Sequence, residues 1–417
     1  MKLTSWTRKL LTAAFLSVAA LTGGCDDGTG SQTDDITDID NSTVERQSIG
    51  NCWLYATASW AESINKTATG TEFDISQSYW TYWHWYDQIV EGWNDEIETG
   101  GSESVSFQII RERGLIAEAD FIPEDTTAEM SSRQSSALAK INSELKSGKL
   151  STSTARTNRK LVRQVLDEAW GLSADVKTQL NTAFGTTGKR TFLTSATKTG
   201  TKILRAKDFK VRYPERVTNK AAPTYKDTTL AVAVTDWRTA SYPWNDSSRR
   251  DFQIRVQKAM HDGAPVIITW DVDFNAMESG SGPLKGSFNL ETLKNAGGPG
   301  RQGGHMTVLE DYEATTEEFG ELKAGVTLDP ENPDDAAKLA AALEPSTTVK
   351  FWRIKNSWGA LRDDRASAPG FPGYHDLYQS YLDGPIKFCP SVEGTKTAAN
   401  CTGTTEPWSN VILPPGY

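Results

Sequence analysis

Cys52 stands in the run Gly50-Asn51-Cys52-Trp53-Leu54-Tyr55-Ala56, and Trp53, Ala56, Trp60 and Ile64 recur at helical spacing. The pattern predicts a buried helix that begins at the cysteine. A thiol at a helix N-terminus feels the positive end of the macrodipole, which favours the thiolate, the form that attacks carbonyl carbon. A lone cysteine among aromatics is otherwise an inert hydrophobe, so this chemistry needs a base and a polar partner. The chain has four histidines. His84 lies within the aromatic run Tyr79-Trp80-Thr81-Tyr82-Trp83-His84-Trp85, His261 precedes Asp262-Gly263 in a turn, and His375 sits among Gly and Pro. His305 differs: behind Gly303-Gly304 it opens Met306-Thr307-Val308-Leu309, a strand-like run that would hold the ring rigidly. Further on, residues 351–359 read as a strand ending in a turn, with Trp352, Ile354 and Asn356 on one face. An asparagine there can accept from an imidazole N–H and fix its tautomer, with Trp358 shielding that bond from water. Cysteine, histidine and asparagine then serve as nucleophile, base and orienting group.

The segments around Cys52-Trp53, Gly304-His305 and Lys355-Asn356-Ser357-Trp358-Gly359 resemble, in order, the three catalytic segments of the papain family of cysteine peptidases. Ile75-Ser76-Gln77 is similar to the motif opening that family's next helix. Gly100-Gly101, with Phe107-Gln108-Ile109-Ile110 and Gly114-Leu115-Ile116 behind, is similar to its substrate-binding glycine pair and following helix. Residues 73–79 and the long separation of Cys52 from His305 look most like the bleomycin hydrolase and aminopeptidase C branch. The resemblance implies Cys52 as nucleophile, His305 as general base and then acid, and Asn356 as its orienter. Gln47 would donate to the oxyanion beside the Cys52 N–H, although it stands five residues before Cys52 where the family pattern has six. Gly100, Gly101 and Trp358 would line the substrate site. The implied reaction is hydrolysis of peptide bonds in peptides or proteins through a thioester, with no metal and no organic cofactor. Two other readings stay open: a weak or dead peptidase fold that binds, or a transpeptidase or cell-wall amidase with the same triad. In the aminopeptidase branch a C-terminal arm enters the cleft. Here only Pro415-Gly416-Tyr417 follow Ile412-Leu413-Pro414, a reach of about 10 Å, so the expectation leans to endopeptidase action.

The elements that must position these residues form an α+β, papain-like fold with a large insertion. A helical part carries Cys52, a β-rich part carries His305 and Asn356, and the cleft lies between. Residues 126–187, rich in Ala, Ser, Leu, Lys, Arg and Gln, read as an inserted helical subdomain. Residues 209–213 alternate like a strand, 251–263 look helical, and 265–272 form a buried strand ahead of His305. Residues 313–348 read as an acidic insertion with a short Ala-rich helix between two strands.

Residues 1–24 read as a secretory signal: Arg8-Lys9, then the apolar run Leu10–Leu21, then Thr22-Gly23-Gly24. Leu21-Thr22-Gly23-Gly24-Cys25 resembles the lipobox of bacterial lipoproteins, which implies a lipidated Cys25 and a place on the cell envelope. Residues 25–45 read as an acidic flexible tether, and 46–417 as the peptidase domain. In an exported chain, Cys389 and Cys401, close in sequence and unclaimed by chemistry, are expected to pair. With 44 basic and 54 acidic residues the net charge is −10, which excludes a basic footprint for nucleic acid. Contact with a membrane is expected through the lipid anchor only. No dinucleotide-binding glycine motif and no His-Glu-x-x-His metal motif occurs.

Overall fold

The computed structural model describes residues 39, 41–92, 94–194, 200–218, 220, 222–326, 328–360, 367–389, 401 and 403–417. The signal segment and Cys25 lie outside the described residues. Helices fill the first half: α1 (Cys52–Thr69), α2 (Gln77–Glu91), α3 (Glu103–Arg113), α4 (Glu118–Phe121), α5 (Ser132–Ser147), α6 (Ser153–Thr157), α7 (Arg159–Ala169) and α8 (Ala174–Phe184). A hairpin of β1 (Lys210–Glu215) and β2 (Thr224–Thr229) follows. The second half is built on an antiparallel sheet. Its strands are β3 (Arg238–Ser241), β4 (Ile267–Asp273), β5 (Gln302–Thr316), β6 (Gly320–Leu322), β7 (Thr348–Lys355), β8 (Tyr374–Tyr378) and, after the short hairpin β9 (Ile386–Phe388) and β10 (Gly403–Thr405), β11 (Trp408–Leu413). Their order is β3-β11-β4-β5-β7-β8, with β6 beside β5. The molecule is α+β.

From Cys52 to Asn65 every residue of α1 is buried, as in a helix packed on all sides. It lies against β5, β1, α2 and α3. Gly70, in the left-handed region at φ 70°, ends it. Ser76 caps α2 by accepting from the Tyr79 N–H, and Tyr79, Trp80, Tyr82, Trp83, Trp85 and Tyr86 are all fully buried. Their outer side is covered by the helices of residues 132–184. Phe184 meets Trp83 at 4.9 Å, and Trp170 meets Trp85 at 5.2 Å between ring centres.

One expectation needs correction. The acidic tether does not reach residue 45: Ile39, Asn41 and Val44 are buried. The Asn41 amide donates to Glu310 on β5, and the Lys355 ammonium donates to the Ser42 hydroxyl at 2.9 Å. Buried hydrogen bonds to charged groups hold this stretch against the body, despite its low content of large apolar groups.

Cys389 and Cys401 form a disulfide, with Cα atoms 4.5 Å apart, just past the Phe388–Gly403 pair where the chain leaves β9 and returns to β10. The Cys389 N–H donates to the Gln302 side-chain oxygen, so this hairpin touches the start of the strand that carries His305. Among the described residues, no helix is long and apolar enough to cross a membrane.

Candidate active site

Sheet register puts the imidazole in place. His305 pairs with Trp270 on β4, and Val308 pairs with Lys355 on β7. Continued past the end of β7, the same register sets Asn356 beside Thr307 and Trp358 beside His305. The side chains agree: His305 Nε2 lies 2.7 Å from Asn356 Oδ1, and the Trp358 ring stacks on the imidazole at 4.8 Å. Asn356 Oδ1 also accepts from the Ser357 N–H at 2.7 Å. An oxygen accepting from a backbone amide can only accept from the ring as well. Nε2 therefore carries the proton, and Nδ1 of the neutral ring keeps its lone pair.

Cys52 is the first residue of α1, and the backbone amides of Met306, Trp53 and Cys52 lie so as to favour its charged form. The thiol is thus seated at the peptide that joins His305 to Met306. Burial pushes the thiol up to about 11, with those amides acting against it. Burial also pushes His305 down to about 4, opposed by the bond to Asn356. The helix terminus favours thiolate, as its position predicts, but desolvation is the larger effect. Both shifts favour a neutral thiol beside a neutral imidazole at rest.

Gln47 sits beside the turn after Asn356. Its N–H donates to the Ser357 carbonyl at 2.9 Å, and its Oε1 accepts from the Ser357 hydroxyl at 2.7 Å. Its Nε2 donates to the Ile49 carbonyl at 2.7 Å. The Gly100-Gly101 segment is clamped to the cysteine helix: Trp53 Nε1 donates to the Thr99 carbonyl at 3.0 Å. A Cβ on Gly101 would fall within the Trp53 indole, which requires glycine there. His84 meets the Trp53 ring edge-on at 4.9 Å and is itself hydrogen-bonded to the Gly100 backbone. The structure therefore brings Cys52, His305, Asn356, Gln47 and Trp358 into one neighbourhood, with Gly101 behind the Trp53 ring.

Sequence reasoning did not find a second feature. A cavity of about 540 Å³ is lined by Glu45, Glu62, Asp74, Glu118 and Asp125 among others. Carboxylate oxygens of Glu45, Asp74 and Glu118 lie within 4.8 Å of one another, close enough to share a cation. Burial and mutual repulsion raise Glu62 to about 7 and Glu118 to about 9. Glu118 is thus a proton-holding acid, hydrogen-bonded to Asp74. The buried Lys355 ammonium supplies positive charge nearby and also reaches the Ser59 hydroxyl of α1 at 2.7 Å. These acids come from distant segments, and no local spacing signals them.

No family model matches the chain, and no curated protein matches it. Solved structures do. Xylellain, a cysteine protease from Xylella fastidiosa, aligns over 92% of this chain and 86% of its own at 13% identity and a TM-score of 0.36. The bromelain protease from Ananas comosus aligns over 90% and 94% at 13% identity and a TM-score of 0.31. The protease and lectin-like domains of Cwp84 from Clostridium difficile align over 94% of this chain and 57% of that one, at 10% identity and a TM-score of 0.34. At these scores the likeness carries no argument, and the site geometry has to carry the function.

Proposed function

We propose that the chain is a papain-like cysteine peptidase. The observation that carries this reading is the commitment of His305 Nε2–H to Asn356, which leaves Nδ1 as the base, with the Cys52 sulfur at the adjacent peptide. In the proposed cycle the thiol proton passes to Nδ1 as the sulfur attacks the substrate carbonyl carbon. The oxyanion takes the Cys52 N–H and the second hydrogen of Gln47 Nε2. Collapse expels the amine, which leaves with the proton from His305, and a thioester remains. His305 then takes a proton from water, the hydroxide attacks the thioester, and the sulfur recovers its proton. Gly100 and Gly101 offer backbone groups to an extended substrate. Trp358 keeps water from the His305–Asn356 bond.

Membership of the bleomycin hydrolase branch and a lean to endopeptidase action belong to the same reading. Residues 414–417 are held elsewhere: the Tyr417 carbonyl accepts from Arg255 at 2.8 Å, and its hydroxyl donates to Asp262 at 2.5 Å. Export and lipidation of Cys25 complete the proposal, and the disulfide is compatible with an oxidising compartment. The test is labelling with an iodoacetamide or epoxide probe alongside peptide hydrolysis, in wild type and Cys52→Ala. The substitution should abolish both; hydrolysis that survives it refutes the assignment. Cys25→Ser should leave the membrane fraction, and retention there would remove the anchor from the proposal.

A further inference from the structure

Asn51 occupies the N-cap position of α1, where an asparagine ordinarily accepts from the N–H of the second or third helical residue. Four other asparagines that open helices in this chain do so: Asn158, Asn245, Asn289 and Asn332. Asn51 makes no such bond. Its amide instead donates to Thr81 Oγ1 of α2 at 3.0 Å and to Gln134 Oε1 of α5 at 3.1 Å. Its own Oδ1, the atom that would cap, is buried with no partner among the described residues.

Gln134 is fully buried, and every polar atom of its side chain is engaged. Nε2 donates to the Tyr55 hydroxyl of α1 at 3.2 Å and the Ser78 hydroxyl of α2 at 3.1 Å. Oε1 accepts from Asn51 and, at 3.4 Å, from the Ser48 hydroxyl in the loop before Cys52. The neighbouring Ser135 hydroxyl donates to the Ser48 carbonyl at 3.2 Å. A helix of the 132–184 segment thereby grips the loop that delivers the cysteine. The group denied its cap matters: Trp53 is second in the helix, directly after Cys52, and its uncapped N–H is one of the amides that oppose the rise of the Cys52 thiol.

We propose that Gln134 is a positioning residue for Cys52: with Thr81 it holds the Asn51 amide off the end of α1, leaving the Trp53 N–H to the sulfur. The inference rests on Cys52 being the nucleophile. It also gives the helical segment a role in reactivity besides covering the aromatic face of α2. Of the titratable groups nearby, His305 on β5 adjoins the Met306 amide, the Tyr55 hydroxyl on α1 accepts from Gln134, and His84 on α2 meets the Trp53 indole at 4.9 Å.

The test is the pH profile of Cys52 alkylation by iodoacetamide in the full chain, read with kcat and KM on one peptide. In Gln134→Met the released Asn51 oxygen should swing onto the Trp53 N–H. The alkylation midpoint should rise by about half to one unit, and kcat should fall about three- to tenfold with KM held within about twofold. Asn51→Ala has no oxygen to compete, so Gln134→Met with Asn51→Ala should return the midpoint to the wild-type value. Thr81→Val, on a different helix, should raise the midpoint in the same way and be suppressed by the same second change, and it serves if Gln134→Met does not fold. A merely structural Gln134 would make the double variant worse. An unshifted midpoint in folded Gln134→Met, or a shift that Asn51→Ala leaves in place, overturns the proposal. Wild-type Cys52 that resists alkylation would instead remove the nucleophile reading beneath it.

Discussion

The Asn356 oxygen accepts two N–H groups, one from the backbone of Ser357 and one from the His305 ring. The backbone bond fixes which end of the amide faces the imidazole, and that choice fixes the tautomer. In Asn356→Ala the ring loses its anchor, and Nδ1 can pick up the proton. We expect kcat to fall about 10²-fold while the thermal midpoint moves little. A loss in kcat that only tracks unfolding would count against an orienting role. The pH sign also follows at this scale. His305 is held down to about 4 by burial, so the basic ring is present above about pH 4 and disappears as pH falls through it. The acid limb of kcat should therefore lie near 4, not at the ordinary histidine value of about 6.5; a limb at 6.5 would contradict a buried, neutral ring. Residue types and order mark Cys52, His305 and Asn356 as candidates, and the structure brings the three together. The balance between helix terminus and burial at Cys52 is not readable, because it depends on how completely β5 covers the thiol.

The aromatic helix shows what one element can and cannot announce about itself. The spacing of Trp80, Trp83 and Tyr86 signals a buried face, but rings on every side of α2 are buried because α7, α8 and their connections close over them. That covering is a long-range event with no local signature. It also buries a charge: the Arg113 guanidinium of α3 stacks on Trp83 at 4.0 Å and pairs with Asp87 of α2 at 2.9 Å. Removing only the acid leaves a buried cation, so Asp87→Ala should cost roughly 3–5 kcal/mol in urea unfolding. Asp87→Ala with Arg113→Met should recover part of that loss; no recovery would mean the pair is not the source. The end of the tether is hidden in the sequence for a related reason. Ile39 and Asn41–Glu45 look solvated in composition, yet their partners, Glu310, Glu62 and Lys355, lie far along the chain.

At the scale of the whole molecule, two sets of buried groups oppose each other in pH. His84, His261 and His305 are each lowered to about 4 by burial, so their contribution to stability is present above about 6.5 and is lost as pH falls toward 4. The carboxyls around the acidic cavity act in the reverse sense. Glu118 is raised to about 9 by burial and by Asp74 and Asp125, whereas in the unfolded chain it ionises near its ordinary value of about 4.3. The folded form therefore holds a proton that the unfolded form releases. Its contribution is complete below about pH 4.3 and declines as pH rises, reaching its full loss above about 9. Glu118→Gln replaces the protonated acid with a neutral group that can still donate to Asp74. The variant should match wild type in denaturant midpoint near pH 4.5 and exceed it increasingly toward pH 8, by an amount on the order of a few kcal/mol. The stability maximum should move to higher pH, because one of the raised carboxyls that oppose the histidines is removed while Glu45, Glu62, Asp74 and Asp125 remain. Equal midpoints at pH 8 would show Glu118 ionised in the folded chain, and a gain of the same size at both pH values would trace it to packing instead of to the proton.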